Sequence, residues 1–386
     1  MKRLIHHSLF ASILLVCLLF VNSGLATQSV ELEMTEFNDS KVEIPQLTGM
    51  DNSFVENTIN EAIKAAAADH LNTLSLLQSG TPGQLTVKGK YTVIPSRDGH
   101  DLLSILLTAQ GRMPTGRPGH QQIPLSFDLA NGQSVTAEQI FKDTAAAQTW
   151  FEVKVAEIFE ETLSNYLDIE DLKPFPLERF LIDETGITFY YPDNTLTWLS
   201  GQTASIHFLY HEILDQLKLE EQSFLGNLGV LERLKPDEQS QARIKDIVKD
   251  GRLPGFDIRL GEKMLDIQEQ FGLLYDPEGF AEGESVQLED DRYRETLLIA
   301  YGDGLLDGIL SKRMNLLGLI TGLSTQDDVQ SVLGEPFTSL DMTDTAAALY
   351  KLPVGVMDVY PVEGVELRMY YQEDRVLYAV WIQTIK

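Results

Sequence analysis

The spacing of apolar positions divides the chain into segments of different period. Between Asn52 and Leu77, the positions Val55, Ile59, Ile63, Ala66, His70 and Leu74 recur at steps of three and four. That is the stripe of an amphipathic helix, and Ser79-Gly80-Thr81-Pro82-Gly83 ends it. A short extended segment, Ser29 to Ile44, precedes it and ends at Pro45. Three strand-like runs follow, Leu85 to Ile94, Leu102 to Gln110 and Gln121 to Leu129. Arg97-Asp98-Gly99 turns between the first two. The Gly- and Pro-rich stretch Arg112 to His120 joins the second and third, and Ala130-Asn131-Gly132-Gln133 is a turn built on Asn-Gly. A second helix is expected over Ala145 to Leu167, with Phe151, Val155, Phe159, Leu163 and Tyr166 near one face. Strands at Gly186 to Tyr191 and Thr203 to Phe208, then a short helix over His211 to Leu217, complete this unit.

Residues 218–240 are more polar, with Glu220, Glu221, Glu232, Lys235, Pro236 and Asp237, and read as a connector. Beyond it, Asp266-Ile267-Gln268-Glu269-Gln270-Phe271-Gly272 and Asp328-Val329-Gln330-Ser331-Val332-Leu333-Gly334 are similar segments 62 residues apart. Each reads as a helix turn closed by glycine, which adopts the left-handed cap without a Cβ clash. Each precedes a hairpin pattern: Thr296 to Tyr301 with Leu305 to Leu310, and Glu366 to Tyr371 with Val376 to Ile382. The fold class is α+β, with two domains: 27–217 as an antiparallel sheet with helices, and 241–386 as two helix-plus-hairpin repeats.

The N-terminus has a different pattern. Lys2 and Arg3 precede an apolar run from Leu9 to Val21, and Gly24-Leu25-Ala26 offers small residues at a cleavage site. This is the layout of a secretory signal peptide over 1–26. The run is short for a membrane span, and an uncleaved anchor is the alternative. Cys17, the single cysteine, lies within the run behind Val16, which does not fit a lipoprotein signal. A cleaved chain would have no thiol for disulfides, zinc or nucleophilic catalysis. No other run approaches membrane length, so the mature chain is expected to be extracytoplasmic, with association to the cell wall as one setting.

Several ordered motifs resemble a known family. Ile44-Pro45-Gln46-Leu47-Thr48-Gly49 precedes the long helix. Gly119-His120 precedes a strand and then Phe127-Asp128-Leu129-Ala130-Asn131-Gly132. Thr136-Ala137-Glu138-Gln139-Ile140-Phe141, Gly186-Ile187-Thr188-Phe189-Tyr190-Tyr191 and Ala204-Ser205-Ile206-His207-Phe208 follow in order. Together they resemble the RsiV-like extracytoplasmic domain, which also precedes the catalytic domain of PdaC-type peptidoglycan deacetylases. The second half resembles the YjgB-like secreted domain through Gly251-Arg252-Leu253-Pro254-Gly255, Ile258-Arg259-Leu260-Gly261 and the two helix-glycine segments. It is also similar to the helix-and-sheet repeats of BLIP-like and BamE-like proteins. The first resemblance implies recognition of lysozyme. Only Met1 to His7 precede the apolar run, so an anti-sigma arrangement across a membrane is not expected. A decoy, inhibitor or soluble receptor is.

Charge narrows the partner. The 386 residues hold 58 Asp and Glu against 30 Lys and Arg, a formal net charge of −28. Loss of Lys2 and Arg3 with the signal would make it −30. Nucleic-acid binding needs a basic footprint and is excluded. A basic protein such as lysozyme fits by sign. The acids Glu278, Glu282, Glu284, Glu289, Asp290 and Asp291 read as an acidic mobile loop, with capture of a cationic partner as its functional reading.

Candidate chemistry is sparse. His207 and His211 share the His-x-x-x-His spacing of glycan deacetylase metal ligands, with Asp128 as the third candidate. Ser126-Phe127-Asp128-Leu129 lacks the second aspartate of that family. On a continuous strand the two histidines would be about 13 Å apart, too far for one zinc. Gly302-Asp303-Gly304 lacks an EF-hand pattern and reads as a hairpin turn. Adjacent carboxylates such as Glu160-Glu161 and Glu170-Asp171 point apart on regular elements and do not define a glycosidase pair. No nucleophile elbow or nucleotide-binding loop occurs. No catalytic, cofactor or metal site is assigned. His70 reads as a core-edge residue and His100 as a turn residue. The partner-binding candidates are Arg117, Gly119, His120 and Gln121, on a loop beside a strand. The functional expectation is a secreted, non-enzymatic cell-envelope binding protein for a lysozyme-type muramidase or another cell-wall protein. The alternatives are a peptidoglycan-binding accessory using Trp198, Tyr190 and Tyr191, or a metal-dependent deacetylase.

Overall fold

The computed structural model describes residues 31–36, 43–77, 86–112, 118–163, 172–192, 205–274, 277–281 and 283–385. The signal-like segment lies outside the described residues. Among them, no helix is long and apolar enough to cross a membrane.

β1 (Glu31–Glu36) and β2 (Glu43–Thr48) pair antiparallel ahead of α1 (Ser53–Leu77). β3 (Thr86–Ile94), β4 (Leu102–Arg112) and β5 (Pro118–Asp128) form an antiparallel sheet with β4 in the centre. Strand alternation separates its faces. Leu103, Ile105, Leu107, Ile123 and Phe127 pack with Ile44 and Leu47 of β2 and with Val55, Ile59 and Ile63 of α1. Val55, Ile59 and Ile63 of the stripe expected from spacing are buried, the next buried position is Ala67 rather than Ala66, and the side chains of His70 and Leu74 lie outside the described residues. Gly132 closes the turn after β5 at φ +76°, and a Cβ there would lie 3.2 Å from the Val55 carbonyl oxygen. Glycine serves both the backbone conformation and the approach to α1.

On the other face of that sheet, Ser104 and Ser126 donate to the carbonyl oxygens of Ile182 (2.7 Å) and Phe180 (3.2 Å). These belong to β6 (Phe180–Ile182), which forms a second sheet with β7 (Gly186–Tyr190) and β8 (Ser205–Leu209). After the short α2 (Ala137–Ile140), α3 (Thr144–Leu163) closes an aromatic core over this sheet. The Phe151 ring lies 4.8 Å from Phe175, 4.9 Å from Phe189 and 5.0 Å from Phe208. The segment expected as a polar connector contains α4 (Phe224–Asn227) and is packed: Leu225, Leu228 and Val230 are buried in the same core. The helix expected over 211–217 is shorter than its pattern suggests, a single 3-10 turn at Tyr210–Glu212.

The C-terminal half starts with α5 (Ser240–Lys249) and α6 (Met264–Phe271). Four strands follow: β9 (Glu278–Phe280), β10 (Gly283–Val286), β11 (Thr296–Ala300) and β12 (Gly308–Ser311). A two-residue ribbon, β13 (Asn315–Leu316) with β14 (Leu319–Ile320), leads to α7 (Gln326–Leu333). β15 (Thr338–Met342), α8 (Asp344–Leu349), β16 (Gly355–Val362), β17 (Val365–Gln372) and β18 (Leu377–Thr384) complete the chain. All eight longer strands form one antiparallel sheet in the order β15-β16-β17-β18-β12-β11-β10-β9. The two helix-glycine segments are α6 and α7, capped by Gly272 (φ +76°) and Gly334 (φ +84°). Each leads into four strands rather than the expected hairpin. The last strands of the two sets, β12 and β18, pair at the sheet centre. β9 and β10 escape the pattern because they are three and four residues long.

One face of this sheet packs Leu298, Leu367, Met369 and Ile382 against Ile244, Ile267, Phe271 and Val329 of α5, α6 and α7. The other buries Ile299, Leu310, Met357 and Trp381 beneath Ala347 of α8 and Leu352.

Candidate functional site

A cluster of charged side chains lies where the halves meet. β8 is an edge strand of its sheet, and its outward backbone is met by C-terminal side chains. The His207 N–H donates to Asp291 Oδ2 at 2.8 Å. The His207 carbonyl oxygen accepts from Arg313 Nη2 at 2.6 Å and Arg294 Nη2 at 3.3 Å. Arg313 also grips Glu212 at two points, Nε to Oε1 at 2.6 Å and Nη2 to Oε2 at 2.5 Å. Glu212 in turn accepts the Leu209 N–H at 2.8 Å. Polar side chains thus complete an edge that would otherwise leave backbone groups unpaired.

Burial governs the titration of this cluster. It opposes charge on Glu212, yet the Arg313 guanidinium outweighs it and holds the carboxyl at about 2. Burial raises Asp291 above the ordinary aspartate range against the pull of Arg294 and Arg313. It pushes the His207 imidazole down to about 4. The ring shares a 2.9 Å hydrogen bond between Nδ1 and Thr188 Oγ1. A second part of the seam joins Lys90 of β3 and Arg292 to Asp257, at 3.5 and 2.9 Å. Most of its charges are paired within it, although the buried Arg294 Nη1 and the neighbouring His211 Nδ1 have no hydrogen-bond partner, and the seam is a joint between the halves.

The metal candidates do not converge. Asp128 Oδ2 takes His100 Nδ1 at 2.7 Å and Asn131 Nδ2 at 2.8 Å, while its Oδ1 takes the Ala130 N–H at 2.9 Å. It organises its own turn. His207 lies on β8 and His211 on the following 3-10 turn, so a change of element falls between them. Among the described residues, no group of three or more His, Cys, Asp or Glu could hold a metal ion. Arg117 lies outside the described residues. Gly119, His120 and Gln121 stand in the first half of β5 rather than on a loop, opposite Gly111, Gln110 and Ala109. Their side chains, like that of His70, lie outside the described set. Of the aromatic candidates, Tyr190 and Tyr191 are buried, which corrects their reading as sugar platforms. Trp198 lies outside the described residues.

The acidic run at 278–291 is not a mobile loop. Glu278 and Glu284 stand on β9 and β10, and Asp291 opens a 3-10 turn. Glu278 meets Lys351 at 2.6 Å, Asp290 meets Arg292 at 2.8 Å, and Asp291 is taken up by the seam. Glu282 lies outside the described residues. Acid with no cation in its own stretch of chain is found elsewhere. The 36 residues from Asn315 to Tyr350 contain Asp327, Asp328, Glu335, Asp341 and Asp344 and no Lys, Arg or His. All five carboxylates are on exposed residues of α7, β15, α8 and the turn between the first two. The signal was present in the sequence as a cation-free window. Phe337, 81% exposed, and Leu340, 43% exposed, stand among them.

No protein-family model matches the chain, and no curated protein matches it. Solved structures do. A member of the DUF3298 family, the RsiV-like proteins, from Bacteroides fragilis is 13% identical, covering 52% of this chain and 95% of its own with a TM-score of 0.31. A DUF3298 family protein from Pseudomonas aeruginosa is 14% identical, covering 49% and 92% with a TM-score of 0.31. YjgB of Bacillus subtilis, a DUF4309 family protein, is 16% identical, covering 38% and 100% with a TM-score of 0.26. These are the two families that the sequence motifs resemble.

Proposed function

We propose that the chain is a secreted, non-enzymatic binding protein of the cell envelope whose partner is a cationic protein, such as a lysozyme-type muramidase or another basic cell-wall protein. One observation carries the reading: the exposed acids of 327–344 have no cation within their own stretch of chain. Acids elsewhere, at 278 and 290, are compensated by Lys351 and Arg292. A basic partner would complete the former set. A net charge of −28 adds long-range attraction, which speeds encounter and is screened by salt. The joint at Arg313 and Glu212 supports a single scaffold carrying both halves.

Calorimetric titration of the chain with lysozyme at low and physiological salt tests this. Heat of binding that weakens as salt rises is the expected result. An absence of heat and of co-elution at low salt, with lysozyme and with other basic envelope proteins, would remove the reading. The sugar-binding alternative is weakened by burial of Tyr190 and Tyr191, and the deacetylase alternative by the separate partners of Asp128 and His207.

A further inference from the structure

We propose that the outer edge of β15 docks an extended segment of the partner, apolar and basic at alternate positions, as a ninth strand of the C-terminal sheet. The proposal rests on the cationic-partner reading and gives it a place and a geometry. The two ends of the sheet are treated differently. At the β9 end, the Ala281 N–H donates to the Leu349 carbonyl oxygen at 2.9 Å, and Glu278 pairs with Lys351 at 2.6 Å. The connection through α8 ties that end down. At the other end, β15 pairs with β16, and among the described residues no strand pairs with its outer side. Ser339, Leu340 and Asp341 are consecutive and all exposed. Because neighbours on a strand point to opposite faces, both faces are open at the middle of β15.

The edge is held ready. Buried Asp358 of β16 accepts from Ser339 Oγ at 2.6 Å, and from Gln326 and Gln330 of α7 at 2.9 and 3.3 Å. β15 is thereby fastened to the strand beneath it and to the neighbouring helix. An added strand would find preformed backbone groups, the economy of strand addition. Its side chains would meet two different surfaces. Leu340 stands opposite Met357, on the face of the buried Trp381 cluster, and Asp341 stands on the opposite face. An apolar residue beside Leu340 and a lysine or arginine beside Asp341 make favourable cross-strand pairs. Phe337, just before the strand, extends the apolar contact.

Charge selects the occupant. A second copy of this chain would present the same edge, with Asp341 on the strand, Glu335 and Asp344 close to its ends and no cation in the stretch. Like charges across a strand pair repel, which protects an open edge from self-association. A basic segment has the opposite sign.

The test uses the full chain and synthetic nine-residue peptides: one alternating lysine and valine, the same peptide N-methylated at alternate amides, and one with glutamate for lysine. Binding is followed by calorimetry, and amide exchange is followed at β15. The lysine peptide should bind and protect the amides of β15. N-methylation should weaken it about tenfold or more through lost backbone bonds, and the glutamate peptide should not bind. L340K and D341K, both at exposed positions and checked for unchanged melting, should each weaken the lysine peptide. Equal binding of the N-methylated peptide, absence of protection in β15, or a dimer of the chain abolished by D341K would overturn the proposal. If lysozyme binds while L340K and D341K leave its affinity unchanged, strand docking fails and the cationic-partner reading stands. If neither lysozyme nor peptide binds at low salt, both fail.

Discussion

Arg313 and Glu212, 101 residues apart in the chain, form a two-point ion pair at 2.6 and 2.5 Å across the seam. Arg313 also carries the His207 carbonyl oxygen, so one side chain holds both an acid and a strand edge. Removing it leaves Glu212 unpaired in a mostly buried site. R313A is therefore expected to lower stability by about 3–5 kcal/mol. The double variant R313M/E212L should be less destabilised than R313A, because it leaves no lone charge. Urea denaturation of the three proteins checks this. A loss below about 1 kcal/mol for R313A would mean that water compensates the pair.

His207 makes stability depend on acid. Its folded pKa is about 4, against an ordinary value near 6.5 in the unfolded chain. Between those values the unfolded chain binds the extra proton. The contribution of neutral His207 is complete above pH ~6.5 and is lost as pH falls toward 4, by roughly 3 kcal/mol in all. Denaturation midpoints at pH 7 and 4.5 should differ more in the natural protein than in H207Q. Equal slopes would show that the imidazole is not held neutral.

His100 has the opposite sign. Its hydrogen bond to Asp128 raises its pKa, against a smaller lowering by burial. Its contribution is present below the unfolded value and is lost as pH rises through the folded one. Proton NMR should place the His100 titration above 6.5 and return it toward that value in D128N. An unchanged titration in D128N would separate the two residues in solution.

Among the described residues, the Phe151 ring has four other phenylalanine rings within 5.6 Å, those of Phe141, Phe175, Phe189 and Phe208. F151A should cost about 3–5 kcal/mol and F151L clearly less, since leucine refills part of the volume. Thermal melting provides the comparison. Equal losses for the two would show that aromatic contact, rather than filled space, decides this core.

Helix α1 and strands β3 and β4 were legible to within a residue or two, because burial of one stripe or one face imposes a period on the sequence itself. β16 was missed. It carries Asp358 on the α7 side, and Pro361 near its end, so its pattern of types does not read as a strand. Asp358 is tolerated there because Ser339, Gln326 and Gln330 surround it, partners that no local window contains. The acid run at 278–291 differs from the expected loop for the same reason, since Lys351 lies 73 residues from Glu278.

The sequence by itself determined the α+β class, the order of most elements, the two helix-glycine segments, the excess of acid and the cation-free stretch at 315–350. Period, glycine placement and charge are properties of neighbouring residues, and they survive without coordinates. Only the tertiary structure decided which acids form ion pairs, that four strands of the large sheet follow each glycine-capped helix, and that C-terminal side chains meet the outer side of β8 while among the described residues no strand pairs with the outer side of β15. Those outcomes depend on groups brought together from far along the chain, where burial and pairing, rather than residue type, set what each side chain does.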